Sequence, residues 1–389
     1  MSTPAPRPAL PAPAWLLLGW ALVRRLQFAL AVGGFGTDVI GYFQSAQAWV
    51  AGAATGAGAN SEYPPGALPL FVVPYLAGGQ AHYVKAFLAE MALFDLAALF
   101  LVGWVAHQLG ARVLVAGFGY LAATALLQPV LYSRFDLAPA ALTLGALAFS
   151  ATVPGAVLLG FAGAMKLWPL ALSPLWLLHV FRRSGTRRAL LLAAVLAAAL
   201  LLPFALLLPR AGLSVLGFLS FHGARGLQVE SVWASLGRVV GSHVKIVAEF
   251  GAMDLQCGAA CEAMRRIAVP ASALLALAPA ALLLRRAKLS PQELLRAGAA
   301  TVLGVLIGSH VLSPQFLVWA VPLLVLSGDA AIGAAIALAG LTTLVYPVHY
   351  SALLDGREQG HALALALLFL RNAGLVLAYA LLLRSLRRQ

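Results

Sequence analysis

Apolar runs of membrane-spanning length recur along almost the whole chain, and three short basic clusters flank them: Arg182-Arg183 with Arg187-Arg188, Arg285-Arg286 with Lys288, and Arg384 with Arg387-Arg388. Hydrocarbon offers no partner to a backbone N–H or C=O, so runs of about 20 such residues cross as helices that satisfy their own backbone. Only 10% of the residues are charged and the mean hydropathy is +0.91, whereas about 25% of the residues in a soluble domain are charged. A soluble multidomain organisation is excluded, and the chain reads as an all-α polytopic membrane protein.

The net charge of +13 invites a nucleic-acid reading, but its distribution argues against one. The basic residues sit beside apolar runs, the pattern that marks cytoplasmic loops and suits anionic headgroups. Membrane lipids are therefore the expected partner, and nucleic acid is not. The stretch 1–14 reads as a cytoplasmic tail before an uncleaved first helix. Cys257 and Cys261 are too few for a disulfide framework and lack the His or Asp neighbours of a zinc site. A local bridge between them stays open.

With the basic clusters on the cytoplasmic side, parity leaves about 12 transmembrane helices, over about 15–33, 82–108, 112–131, 137–150, 154–165, 168–180, 189–209, 266–284, 293–311, 315–327, 330–348 and 361–383. Residues 35–81 are broken by Gly and by Pro64, Pro65, Pro69 and Pro74, so they read as a long extracytoplasmic loop with short juxtamembrane helices. Helices 154–165 and 168–180 form a hairpin with Lys166 at its outer turn; one unbroken helix would put Arg182 on the wrong side. The transmembrane core is thus 15–209, followed by a second large extracytoplasmic loop, 210–264, and by C-terminal helices with a basic tail, 265–389. No short-period repeat supports an inverted-repeat transport architecture.

This topology gathers Asp38, Arg134, Asp136, Lys166, His310, Ser313 and Gln315 at the outer leaflet, although they are far apart in sequence. Ionisable groups near hydrocarbon are costly unless paired or wet, which makes them functional candidates. Asp38 follows Gly33-Gly34-Phe35-Gly36 and reads as a loop-borne general base, with helix capping as its structural alternative. Tyr42, one turn on, shares its face. Lys166 and Arg134 suit the negative charge that develops on a leaving phosphate; their structural alternatives are snorkelling and, for Arg134, a salt bridge to Asp136. Arg225, Gln228 and Glu230 form a further polar patch that either closes over substrate or is a solvated face. His310 breaks a helix at the outer surface. Arg24 and Arg25, in mid-helix, call for an ion pair such as Arg24 with Asp95.

The ordered set Asp38-x-x-x-Tyr42, Tyr63-Pro64-Pro65, Ser133-Arg134-Phe135-Asp136, Met165-Lys166-Leu167-Trp168-Pro169, Arg225-Gly226-Leu227-Gln228-x-Glu230-Ser231 and Ser313-Pro314-Gln315 resembles the bacterial polyprenyl-phosphate-mannose-dependent mannosyltransferases of the GT-C superfamily. The likeness runs over about residues 15–325. More loosely, the chain is similar to the mannosyltransferase that elongates the glycosylphosphatidylinositol core. The resemblance implies an enzyme of the cytoplasmic membrane that moves a sugar, mannose, from a polyprenyl-phosphate donor to a hydroxyl of a glycan or glycolipid acceptor on the extracytoplasmic face, with inversion. It implies Asp38 as the base, and Lys166, Arg134, His310, Tyr42, Tyr63, Arg225, Gln228, Glu230 and Gln315 as donor-phosphate or substrate ligands. Related enzymes carry two nearby acids in the first outer loop, where this chain has Val39 and Ile40 beside Asp38, so no cofactor and no divalent metal are expected. The rival reading is a transporter or flippase of lipid-linked sugars.

Overall fold

A computed structural model describes residues 12–30, 37–53, 62–241 and 243–388. The tail over 1–11, the Gly33-Gly34-Phe35-Gly36 linker and Ala54 to Asn60 lie outside the described residues. The chain folds as a polytopic bundle of helices: α1 (Ala12–Leu30), α2 (Thr37–Val50), α3 (Leu68–Gln108), α4 (Val113–Leu126), α5 (Gln128–Leu131), α6 (Leu137–Ala148), α7 (Val153–Met165) and α8 (Ser173–Ala211). Then follow α9 (Gly217–Ala224), α10 (Val232–Val240), α11 (Ala259–Leu283), α12 (Pro291–Gly308), α13 (Leu317–Val325), α14 (Asp329–Thr343), α15 (Tyr350–Leu354) and α16 (His361–Arg387). Among the described residues, five helical stretches are individually long and apolar enough to cross a membrane, and shorter apolar helices fill the bundle between them.

The expected passes correspond to these helices once two bends are recognised. Gly79 (φ 56°) divides α3 into a short arm over 68–78 and a long pass over 80–108, and Gly185 (φ 78°) divides α8 within the first basic cluster. A left-handed φ costs glycine little, so the chain reverses there without ending its helical run. The short arm of α3, together with α2, supplies the juxtamembrane helices expected in the first loop. The hairpin of α7 and the first half of α8 turns at Lys166, as the parity argument requires.

The second large loop holds what the sequence reading did not foresee, a three-stranded antiparallel sheet. Strands β1 (Leu227–Gln228), β2 (Lys245–Glu249) and β3 (Ala252–Gln256) pair in the order β1-β3-β2. Phe250 and Gly251 both take positive φ, 51° and 70°, at the turn between β2 and β3, the conformation of a two-residue hairpin whose twist matches its strands. Cys257 and Cys261 form a disulfide where β3 leads into α11. It joins Leu227, Val229, Ala234 and Leu255 in a small core of its own under the loop.

Deep in the bundle, Arg24 pairs with Asp95 at 2.8 Å, as the mid-helix charge demanded, and the pair lies inside a larger network. One Asp95 oxygen accepts from Trp20 Nε1 (2.6 Å), Arg24 Nε (2.8 Å) and Tyr132 Oη (2.6 Å), the other from Arg24 Nη2 (2.9 Å) and Tyr120 Oη (2.8 Å). The Asp95 side chain is fully buried, and removing one member of such a pair leaves an uncompensated charge. Asp95→Ala should therefore cost about 3–5 kcal/mol and lower the melting temperature in detergent sharply. The double variant R24M/D95L, which removes both charges together, should recover most of that loss.

Candidate active site

Four chain segments meet at one end of the bundle. Asp38 lies in the first turn of α2, where the helix N-terminus favours a carboxylate; it is helix-borne, not loop-borne as expected. Arg134 and Asp136 sit in the turn between α5 and α6. Lys166 ends α7 in extended conformation (φ −148°, ψ 144°). Tyr63-Pro64-Pro65 turns into α3 directly beside it: a Cβ on Gly66 would stand 2.5 Å from the carbonyl carbon and oxygen of Ala164, so only glycine lets this turn dock on the last turn of α7.

The charges pair crosswise. Arg134 Nε reaches Asp38 Oδ2 at 2.5 Å, and Lys166 Nζ reaches Asp136 Oδ1 at 2.7 Å. The salt bridge considered between Arg134 and Asp136 is not formed. Asp136 is 1% exposed, under the cavity floor, where Trp319 Nε1 donates to the same oxygen at 2.5 Å, while Arg134 turns toward α2. Lys166 is enclosed by aromatic faces, with Phe135 at 4.8 Å, Phe316 and Trp319 at 5.4 Å and Tyr63 at 5.6 Å from its ammonium. Trp319 is itself stacked between Trp168 (4.9 Å) and Phe316 (4.1 Å).

Asp38, Tyr63, Arg134, Lys166, Trp168, Phe316 and Trp319 line a cavity of about 880 Å³, walled on one side by residues of the second large loop. Asp38, Tyr63, Arg134, Lys166, Arg225, Gln228, Glu230, His310 and Gln315 all face it, so the patch at 225–230 belongs to the cavity and is no solvated face. Tyr42 does not. It is buried behind Asp38, stacked at 4.4 Å on Phe71 and edge-on to Phe135 at 5.7 Å, and it packs the aromatic wall instead of meeting a ligand. Glu62, His222, Trp319, Tyr346 and Tyr350 line the cavity without having been singled out in the sequence. Glu62 carried a signal, since it immediately precedes Tyr63-Pro64-Pro65; Trp319 lies one helical turn past Gln315. Glu62, in the same long loop, lines the cavity with Asp38, so the apolar Val39 and Ile40 beside Asp38 do not leave it the single acid of the site.

Burial raises the Asp38 carboxyl above its ordinary range, against the opposing pull of Arg134 and Lys166. Burial likewise raises Glu62 and pushes Glu230 up to about 7, although Arg371 acts the other way. His310 is lowered to about 4 by burial and by Arg225 and Arg265, which keeps its imidazole neutral near pH 7. A partly desolvated carboxylate with heightened proton affinity, held by an arginine and facing a roomy cavity, is equipped to take a proton from a hydroxyl. Among the described residues no cluster of three or more His, Cys, Asp or Glu side chains could hold a metal ion.

The same architecture is known from solved structures. ArnT from Cupriavidus metallidurans bound to undecaprenyl phosphate superposes with a TM-score of 0.53 at 18% identity, over 96% of this chain and 77% of that one. The chain has the ArnT fold. The apo structure of ArnT gives a TM-score of 0.52 at 18% identity, over 96% and 76% of the two chains. No protein-family model matches the sequence, and the search of curated proteins returns no match. At 18% identity the likeness to these structures is one of fold.

The close approach of Gly66 to α7 gives a direct test of how the site is assembled. Gly66→Ala should destabilise by about 1–3 kcal/mol, because the added methyl meets backbone that cannot rotate away. Gly333→Ala, in α14, where a Cβ meets nothing within 4 Å, should be neutral or stabilising by about 0.5–1 kcal/mol. Thermal unfolding of the two variants in detergent checks the contrast.

Proposed function

We propose that the protein is an integral membrane glycosyltransferase of the GT-C type that moves one sugar, mannose, from a polyprenyl-phosphate donor to a hydroxyl of a glycan or glycolipid. The observation that carries this reading is the placement of the Asp38–Arg134 pair and the Lys166 ammonium around a single cavity. The ArnT fold, seen elsewhere with undecaprenyl phosphate bound, supports a donor of that class.

The reaction forms a bond from the acceptor oxygen to the anomeric carbon and breaks the bond from that carbon to the phosphate oxygen. Asp38 takes the acceptor proton as the new bond forms, and the lipid phosphate leaves with its electron pair and its charge. Lys166, whose ammonium lines the cavity, stabilises that charge. Preorganised cations at the leaving oxygens act most strongly where water is excluded. A single displacement with acceptor and phosphate on opposite faces of the sugar ring inverts the anomeric carbon. Arg134 holds Asp38 ionised and oriented. No divalent ion takes part in this scheme, since Asp38 and Asp136 already have cationic partners. The positive-inside pattern assigns the basic clusters at the opposite ends of the helices to the cytoplasm and so supports an extracytoplasmic cavity.

Asp38→Asn should abolish transfer in a reconstituted assay while donor-lipid binding persists, and the activity of the native protein should survive chelator. The base works only when deprotonated, so kcat/KM falls as pH drops through the Asp38 pKa. Because burial raises that pKa, the acidic limb should lie above the ordinary carboxylate value of about 3.9. Arg134→Gln removes a cation that lowers it, so the limb should move to still higher pH. An unshifted limb would assign it to another group.

Sidedness follows from the same scheme. In a background with Cys257 and Cys261 replaced by serine, a single cysteine at position 245, exposed on β2, should react with a membrane-impermeant thiol reagent on intact cells. Cysteines at 185 and 287 should react only after permeabilisation, and labelling of 185 from outside would reverse the orientation.

A further inference from the structure

We propose that Arg225, Gln228, Glu230 and His310 form the subsite that recognises the hydroxyls of a neutral donor sugar, an inference that rests on the transferase reading above. All four side chains line the cavity on the side of the capping loop. Arg225, Gln228 and Glu230 are 6%, 3% and 2% exposed, yet Arg225 Nε, Glu230 Oε2 and His310 Nε2 have no hydrogen-bond partner among the described residues. An unmet buried polar group costs about 1–3 kcal/mol, so three of them gathered on one cavity wall mark a surface built to be completed by a ligand.

The wall is held rigidly. Gln228 Nε2 donates to Ser313 Oγ at 3.1 Å and its backbone N–H donates to the His310 carbonyl at 3.0 Å, joining the loop to the turn before α13. From behind, Arg371 Nη2 donates to the Glu230 carbonyl at 2.6 Å, and Asn372 Nδ2 donates to the Ser231 carbonyl and Ser235 Oγ at 3.2 and 2.7 Å. A side chain fixed in this way meets a ligand with little further loss of freedom.

The chemistry selects a sugar over the lipid phosphate. Arg225 donates, Glu230 accepts, and the amide of Gln228 and the imidazole of His310 each supply both kinds of group, a mixture that suits hydroxyls, which donate and accept alike. Glu230 and Glu62 face the same cavity, so a uronic acid would set its carboxylate against two acids. Lys166 lines the same cavity as this wall, so a sugar attached to the phosphate assigned to that ammonium lies within the space the wall faces.

The test compares equilibrium binding of polyprenyl phosphate and of polyprenyl phosphomannose to the full-length protein in nanodiscs. The wild type should hold the mannosylated lipid at least roughly tenfold more tightly than the bare lipid, as expected for several hydrogen bonds to charged and neutral groups. Gln228→Ala and Glu230→Gln should each bring that ratio close to one while leaving bare-lipid affinity within about twofold, since the phosphate contacts are untouched. Because the ratio is taken within one variant, a general loss of folded protein cancels; if either variant binds no bare lipid, His310→Ala, at a half-buried position, serves in its place. A ratio retained in the variants overturns the sugar subsite, as does equal binding of both lipids by the wild type. Failure of the wild type to bind either lipid overturns the transferase reading itself.

Discussion

The buried carboxylate of Asp95 is the interaction on which the arrangement depends. It accepts hydrogen bonds from Trp20 and Arg24 on α1, Tyr120 on α4 and Tyr132 just beyond α5, so it fixes three helices and one turn around a single point. Tyr132 begins the turn that carries Arg134 and Asp136. A carboxylate in the middle of the bundle, costly unless fully matched, therefore sets the position of the two residues whose partners, Asp38 and Lys166, define the cavity. The same segment is read twice: its tyrosine faces the core and its charged residues face the site.

Much of this could be read from the sequence because it follows from parity and from the cost of charge. Basic clusters at 182–188, 285–288 and 384–388 leave few ways to thread the helices, and the turn at Lys166 follows from them. Arg24, placed in mid-helix, required an acid, and Asp95 in the middle of another pass supplied one. The capping loop was less legible. A hairpin turning on Phe250-Gly251 lacks the Asn-Gly or Asp-Gly signal that marks such turns, and its exposed β2 shows no clean alternation of apolar residues. The crosswise pairing of Arg134 with Asp38 and Lys166 with Asp136 was not legible either. Arg134 and Asp136 are two residues apart in one turn, and only the packing of α2 and α13 against that turn decides which way each side chain faces. Tyr42 shows the converse limit: its spacing from Asp38 put it on the same helix face, but one turn deeper that face is a wall of stacked rings.

The capping loop couples the site to the last helix of the bundle. Arg371 and Asn372 on α16 bond to the backbone of Glu230 and Ser231, so residues 225–231 are anchored from the membrane side while their side chains meet the cavity. The disulfide and the small core around Leu227 and Leu255 secure the other end of the same segment. A loop fastened at both ends presents a wall of fixed geometry to the cavity and not a mobile cover.

Charge balance explains how such a cavity remains stable before substrate enters. Arg134 is matched by Asp38 and Lys166 by Asp136, so neither cation stands alone in a desolvated site. On the proposed reading, the phosphate of an arriving donor adds negative charge beside Lys166, whose ammonium keeps its hold on Asp136. The aromatic rings around Lys166 contribute a further attraction to the cation and limit the water that would screen it. Because Asp136 lies beneath the floor and is held by Trp319 as well, Lys166 can bear on the phosphate without moving. The electrostatic work of assembling the site is done when the protein folds, which, on the proposed transferase reading, leaves substrate binding to orient the anomeric carbon between Asp38 and the phosphate.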